Sequence, residues 1–198
     1  LVLAAKKKIE EISKKEGLSG IASGFGEIDR LTSGWQSSDL IIVAARPGMG
    51  KTAFTLSMAR NISVENNMPV AFFSLEMSAI QLITRLISSE TGLNSEKLRT
   101  GKLEKFEWEL LNVKVTNLEN APLYIDDTPS LSIFELRAKA RRLSSQFGIK
   151  LIVVDYLQLM TLGSSQKSGN REQEISTISR NLKALAKELD IPIIALSQ

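Results

Sequence analysis

A parallel α/β sheet with helices on both faces is the fold class this sequence predicts, and three observations carry it. Five apolar, β-rich runs alternate with stretches of helical periodicity. Most of the runs are apolar at nearly every position, not at every second one, which suits strands covered on both faces. The first run also leads into a Gly-rich turn that opens a helix, so strand, loop and helix form one unit.

In chain order, the first element is an amphipathic helix over Leu1–Lys15. Val2, Ala5, Ile9 and Ile12 recur at helical spacing, with Lys6, Lys7, Lys8, Glu10 and Glu11 on the other side. A single apolar stripe needs cover, from its own core or from a neighbouring subunit. Gly17, Ser19 and Gly20 form a tether, which divides the chain into a linker helix and tether at 1–19 and a core at 20–198. Strands are predicted at Leu40–Ala45, Val70–Glu76, Leu123–Asp126, Leu151–Asp155 and Ile191–Gln198. Helices begin near Gly50, Ser78, Ser132 and Asn170, with shorter ones around Ser95 and Glu104. The chain opens without Met and stops on a core strand, so a domain truncated at its C-terminal end is expected.

Composition removes whole classes of chemistry. The 198 residues contain neither Cys nor His, which excludes Cys or His zinc sites, Ser-His-Asp triads, thiol nucleophiles and disulfides. Carboxylates, Lys, hydroxyls, backbone amides and a hard metal ion remain. The net charge of +3, from 25 basic and 22 acidic residues, is compatible with nucleic acid without arguing for it. No apolar run reaches the ~18 residues of a membrane span and no signal peptide opens the chain, so no membrane partner and a cytoplasmic location are expected.

Ala45-Arg46-Pro47-Gly48-Met49-Gly50-Lys51-Thr52, followed by Ala53, reads as a phosphate-binding loop. Its backbone N–H groups and the new helix's dipole suit a triphosphate, with Lys51 reaching the β- and γ-phosphates and Thr52 ligating Mg²⁺. The usual opening Gly is Ala45 here, which suffices where φ is negative. Asp155 ends the apolar strand Leu151–Asp155 in the manner of a Walker B carboxylate and would hold the same Mg²⁺. Glu76 ends another strand and would orient and deprotonate an attacking water; its alternative role is to cap the helix beginning at Ser78. Gln198 either senses the γ-phosphate or is a solvated strand-end amide.

These residues resemble a known family. The stretches Ser23-Gly24-Phe25, Thr32-Ser33-Gly34-Trp35 and Asp39 to Thr52 are similar to the entry of the RecA-like core of bacterial replicative DNA helicases, the DnaB family. So are Phe73-Ser74-Leu75-Glu76-Met77-Ser78 with Gln81 and Arg85, Asp155-Tyr156-Leu157-Gln158-Leu159-Met160, Ser179-Arg180 with Leu182-Lys183, and Leu196-Ser197-Gln198. The resemblance runs from Ile21 to the end of the chain. It implies an ATP-hydrolysing motor of a hexameric ring that translocates on single-stranded DNA and unwinds duplex. ATP and Mg²⁺ would be the cofactors, and primase and a helicase loader the further partners.

By the same resemblance, Lys51 and Thr52 bind phosphate and metal, and Asp155 is the Walker B carboxylate. Glu76 is the base, Gln198 the γ-phosphate sensor and Arg85 a nucleotide-site arginine. The Leu1–Lys15 helix would dock on the adjacent subunit of a homo-oligomeric ring. The family's second DNA-facing loop and arginine finger would follow Gln198, leaving this chain alone weakly active.

Two basic segments are weighed differently. Thr161–Gln173 is a polar, Gly/Ser-rich loop from which Lys167 and Arg171 would touch a phosphate backbone, or which is an ordinary surface loop. Arg137, Lys139, Arg141 and Arg142 lie opposite the stripe of Ile133, Leu136, Ala140, Leu143 and Phe147, so they form a solvated face. The competing readings are another RecA-like ATPase, of recombination or clock type, and a nucleotide-gated interaction module with negligible turnover.

Overall fold

The computed structural model of the chain describes residues 2–13, 17–163 and 171–198. Its centre is an all-parallel five-stranded sheet of β1 (Leu40–Ala44), β2 (Val70–Ser74), β3 (Leu123–Asp126), β4 (Leu151–Asp155) and β5 (Ile193–Ser197), in the spatial order β1-β5-β4-β2-β3. The helices are α1 (Val2–Ser13), α2 (Gly26–Thr32), α3 (Lys51–Arg60), α4 (Ala79–Thr91), α5 (Ser95–Thr100), α6 (Lys105–Glu119), α7 (Ile133–Phe147) and α8 (Arg171–Leu189). A π-helical turn, Asn61–Glu65, extends α3.

The pleat sorts the central strands' side chains between two cores. Phe73, Ile152, Val154, Ile193 and Ala195 pack with Leu136 and Ala140 of α7 and Ile178, Leu182 and Leu185 of α8. Their alternating neighbours Phe72, Leu151, Val153, Ile194 and Leu196 pack with Leu56, Met58 and Ala59 of α3 and Leu82 and Leu86 of α4. Every residue of β2 and β4 is buried, as continuous apolar runs require.

The structure departs from the sequence reading at several places, the unpredicted α2 and the shorter β5 among them. β2 stops at Ser74, two residues short of Glu76, because the Ser74 hydroxyl captures the backbone of Met77 and bends the chain. β1 is an edge strand, and its Ile42 is 47% exposed. The helix near Glu104 is not short: α6 runs for 15 residues, with Glu107 its one buried residue. The tether's end is held to the core, since Gly20 N–H donates to Ser33 O at 2.9 Å and Gln36 Nε2 to Ser19 Oγ at 2.9 Å.

Candidate functional site

All five strands run the same way, so their carboxyl ends share one edge of the sheet, and the loops leaving them meet there. The chain passes from β1 through α3 to β2 over the intervening β5 and β4, which opens a crevice at that crossing. A cavity of about 300 Å³ occupies it. The loop residues Pro47 to Ala53 line it, together with Glu76 from the bend after β2, Asp155 from the end of β4, Gln198 from after β5 and Arg85 from α4.

The phosphate-type loop owes its path to two left-handed glycines. Gly48 and Gly50 have φ of 77° and 84°, and Gly50 precedes the first helical residue of α3. Ala45 is not among the described residues with positive φ, so the missing opening glycine costs no strain. Ala45 sits behind the cavity, where its carbonyl accepts from Lys51 Nζ at 2.6 Å. Arg46 is exposed, and its carbonyl accepts from Met49 N–H at 3.3 Å. Neither lines the cavity.

Asp155 is buried, 1% exposed, and its Oδ2 has no hydrogen-bond partner. Burial pushes its carboxyl above the usual carboxylate range; the Thr52 hydroxyl beside it pulls the other way, Glu76 adds to the rise, and Lys51 and Arg85 oppose it. A buried, unsatisfied carboxylate oxygen next to a hydroxyl suits a hard divalent cation. The donors Asp155 and Thr52 therefore fit Mg²⁺. Among the described residues no cluster of three or more His, Cys, Asp or Glu could hold a metal, so such an ion would take its remaining ligands from phosphate and water.

Glu76 is exposed to the cavity. It does not cap α4. Ser78 is the cap, accepting from Gln81 N–H while its own N–H donates to Gln81 Oε1 at 3.0 Å. Gln198 is anchored through its backbone: Gln158 Oε1 accepts from its N–H at 3.3 Å, and Gln158 Nε2 donates to its carbonyl at 3.1 Å.

Sequence reasoning missed two residues that line the cavity, Met77 and Tyr156, and the Gln158 clamp. Both lining residues directly follow a carboxylate singled out from the sequence, and that adjacency was the available signal. Lys167 lies outside the described residues. Arg171, its side chain 45% exposed, pairs with Glu174 and donates to the carbonyls of Gln158 and Met160, the latter at 3.1 Å. On α7, Arg137 and Arg141 both pair with Glu188, and Lys139 with Asp126 at 2.6 Å. No helix among the described residues is long and apolar enough to cross a membrane.

The parallel sheet and the loop–carboxylate cavity at its carboxyl edge define a P-loop nucleotide-binding domain of the RecA-like class. A model of the DnaB-like helicase C-terminal domain matches residues 20–198, and the chain belongs to that family. It is 53% identical over 191 residues to the replicative DNA helicase DnaB of Geobacillus stearothermophilus, covering 96% of this chain and 42% of that protein. The replicative DNA helicase DnaC of Bacillus subtilis is 49% identical with the same coverage. Among solved structures, a DnaB-like replicative helicase studied with primase superposes with a TM-score of 0.87 at 35% identity, over all of this chain and 47% of that one. A second solved structure, of an ATPase domain, gives 0.89 at 34% identity, over all of this chain and 69% of that one. The chain thus spans less than half the length of the curated relatives it matches.

Proposed function

We propose that this chain is the ATP-hydrolysing motor of a ring-shaped, hexameric replicative helicase that moves on single-stranded DNA in the cytoplasm, with primase and a loader as partners of the whole assembly. The observation that carries the proposal is the convergence of Lys51, Thr52, Asp155, Glu76 and Gln198 from four adjacent strand ends on one cavity. Lys51 binds the β- and γ-phosphates, and Arg85, lining the same cavity from α4, adds positive charge. Thr52 and Asp155 would hold Mg²⁺, which when bound would neutralise charge on the phosphates. Glu76 orients a water against the γ-phosphorus and takes its proton as the new P–O bond forms and the bond to the β-phosphate oxygen breaks. Gln198 reads the presence of the γ-phosphate through its side-chain amide.

The reading as a nucleotide-gated module without turnover is disfavoured by Glu76. A carboxylate that is no helix cap, standing in the cavity opposite the phosphate loop, is needed for chemistry and not for binding. The experiment is to compare Glu76→Gln with Asp155→Asn in the assembled protein. Glu76→Gln should leave ATP affinity within a few-fold and lower kcat by ~10²–10⁴. Asp155→Asn should raise the Mg²⁺ concentration needed for binding. Undiminished hydrolysis by Glu76→Gln would show that Glu76 is not the base.

A further inference from the structure

Glu76 stands in the bend of residues 75–77, between the last residue of β2 and the cap of α4, where no helix or sheet ladder fixes its backbone. An exposed carboxylate there needs some other constraint to meet a water repeatedly in one geometry. The bend is restrained at three points. Leu75 N–H donates to the carbonyl of Asp155 at 2.7 Å, which ties the turn to the end of β4. Ser74, paired in register with Asp155 and 1% exposed, donates its hydroxyl to Met77 O at 2.7 Å and accepts Met77 N–H at 3.3 Å. One side chain therefore closes a ring around Glu76. Beyond it, Ala79 N–H donates to Asp127 Oδ2 at 2.8 Å, from the loop after β3.

Resting on the reading of Glu76 as the base, we propose that Ser74 is the positioning residue for that base, with Asp127 as the outer anchor of the same turn. The chemistry suits the task. A hydroxyl has one proton to give and lone pairs to accept, so it pairs with both the N–H and the C=O of Met77, as neither Ala nor Val can. Its own burial between sheet and helices leaves it no competing water. Asp127 is exposed, but the groups behind it are fixed: Lys139 Nζ donates to Asp126 Oδ2 and Thr128 Oγ1, each at 2.6 Å, and Thr128 N–H donates to Asp126 Oδ1 at 3.1 Å. The turn is thus braced from α7 through the β3 loop as well as from beneath.

The test is a double-mutant cycle on ATP hydrolysis by the assembled protein, with Ser74→Ala in the wild-type and Glu76→Gln backgrounds. A positioning role predicts that Ser74→Ala lowers kcat ~10–100-fold, leaves KM and ATP affinity within about two-fold, and adds nothing to the loss in the Glu76→Gln background. Asp127→Ala should show the same pattern more weakly, and it stands in should Ser74→Ala fail to fold. Hydrogen exchange of the Met77 amide should quicken in Ser74→Ala. An equal proportional loss in both backgrounds, or an undiminished kcat in Ser74→Ala where Glu76→Gln is crippled, overturns the brace alone. Wild-type hydrolysis by Glu76→Gln overturns the base assignment and the brace with it.

Discussion

At the scale of single residues, Lys51 does two things at once. Its ammonium donates to Ala45 O across the phosphate-type loop, and it faces the cavity that holds Asp155 and Glu76. A cation held by a carbonyl and within electrostatic reach of Asp155 is pre-organised for phosphate. Lys51→Ala should therefore weaken binding of a labelled ATP analogue by the ~1.5–3 kcal/mol of a charge-assisted hydrogen bond, roughly ten- to a hundred-fold. Because the Ala45 N–H remains tied to Ser197 O at 3.4 Å, the melting temperature should barely move. Unchanged analogue affinity would remove Lys51 from the nucleotide site.

At the scale of elements, β3 and α7 are joined by the Asp126–Lys139 pair. Burial pushes the Asp126 carboxyl up, but the hydrogen bonds from Lys139 and Thr128 outweigh it and hold the group below its ordinary value of 3.8. A carboxyl with a depressed folded pKa contributes stability above the unfolded value and loses it as pH falls through the folded one. Lys139→Met should thus lower the melting temperature by about 2–4 °C at pH 7, with the difference from wild type fading below pH 3.8. A difference that persists unchanged to low pH would mean that packing, not the ion pair, was lost.

The same scale shows what a sequence can carry. β2 and β4 were legible because strands buried on both faces read as unbroken apolar runs, and the phosphate-type loop was legible because it is contiguous. Sheet order was not, since hydropathy does not say that β1 lies at an edge. Nor was the brace on Glu76, whose bonds join residues as far apart as Ala79 and Asp127. α6 escaped because its apolar residues face outward as well as inward: Phe106, Trp108 and Val113 are 60%, 47% and 72% exposed.

At the scale of the molecule, that outward face is among the apolar surfaces left uncovered on the described residues. On α1, Val2, Leu3 and Ile9 are 85%, 84% and 66% exposed, so Val2 and Ile9 of the stripe that the sequence displays there stand uncovered. Phe106 and Val113 lie seven residues apart on α6, with the half-buried Leu110 between them, and so share one helical face. We propose that α1 of one subunit packs on α6 of the next. A helix of 12 residues is marginal alone and gains its order from such a surface. Two different patches in contact make a head-to-tail interface, which closes into a ring when the rotation allows it. Each apolar side chain covered contributes about 1.5–3 kcal/mol before ordering costs, so association should be weak and concentration-dependent. Ile9→Asp and Val113→Asp should each raise the dissociation constant at least about tenfold in sedimentation experiments. Each should leave the melting temperature within about 2 °C, because neither side chain is in the core. If the two residues belong to one contact, the double mutant should be little worse than either single, since the second charge has no interface left to disrupt. Fully additive losses would assign α1 and α6 to separate interfaces, and unchanged association in both singles would refute the pairing.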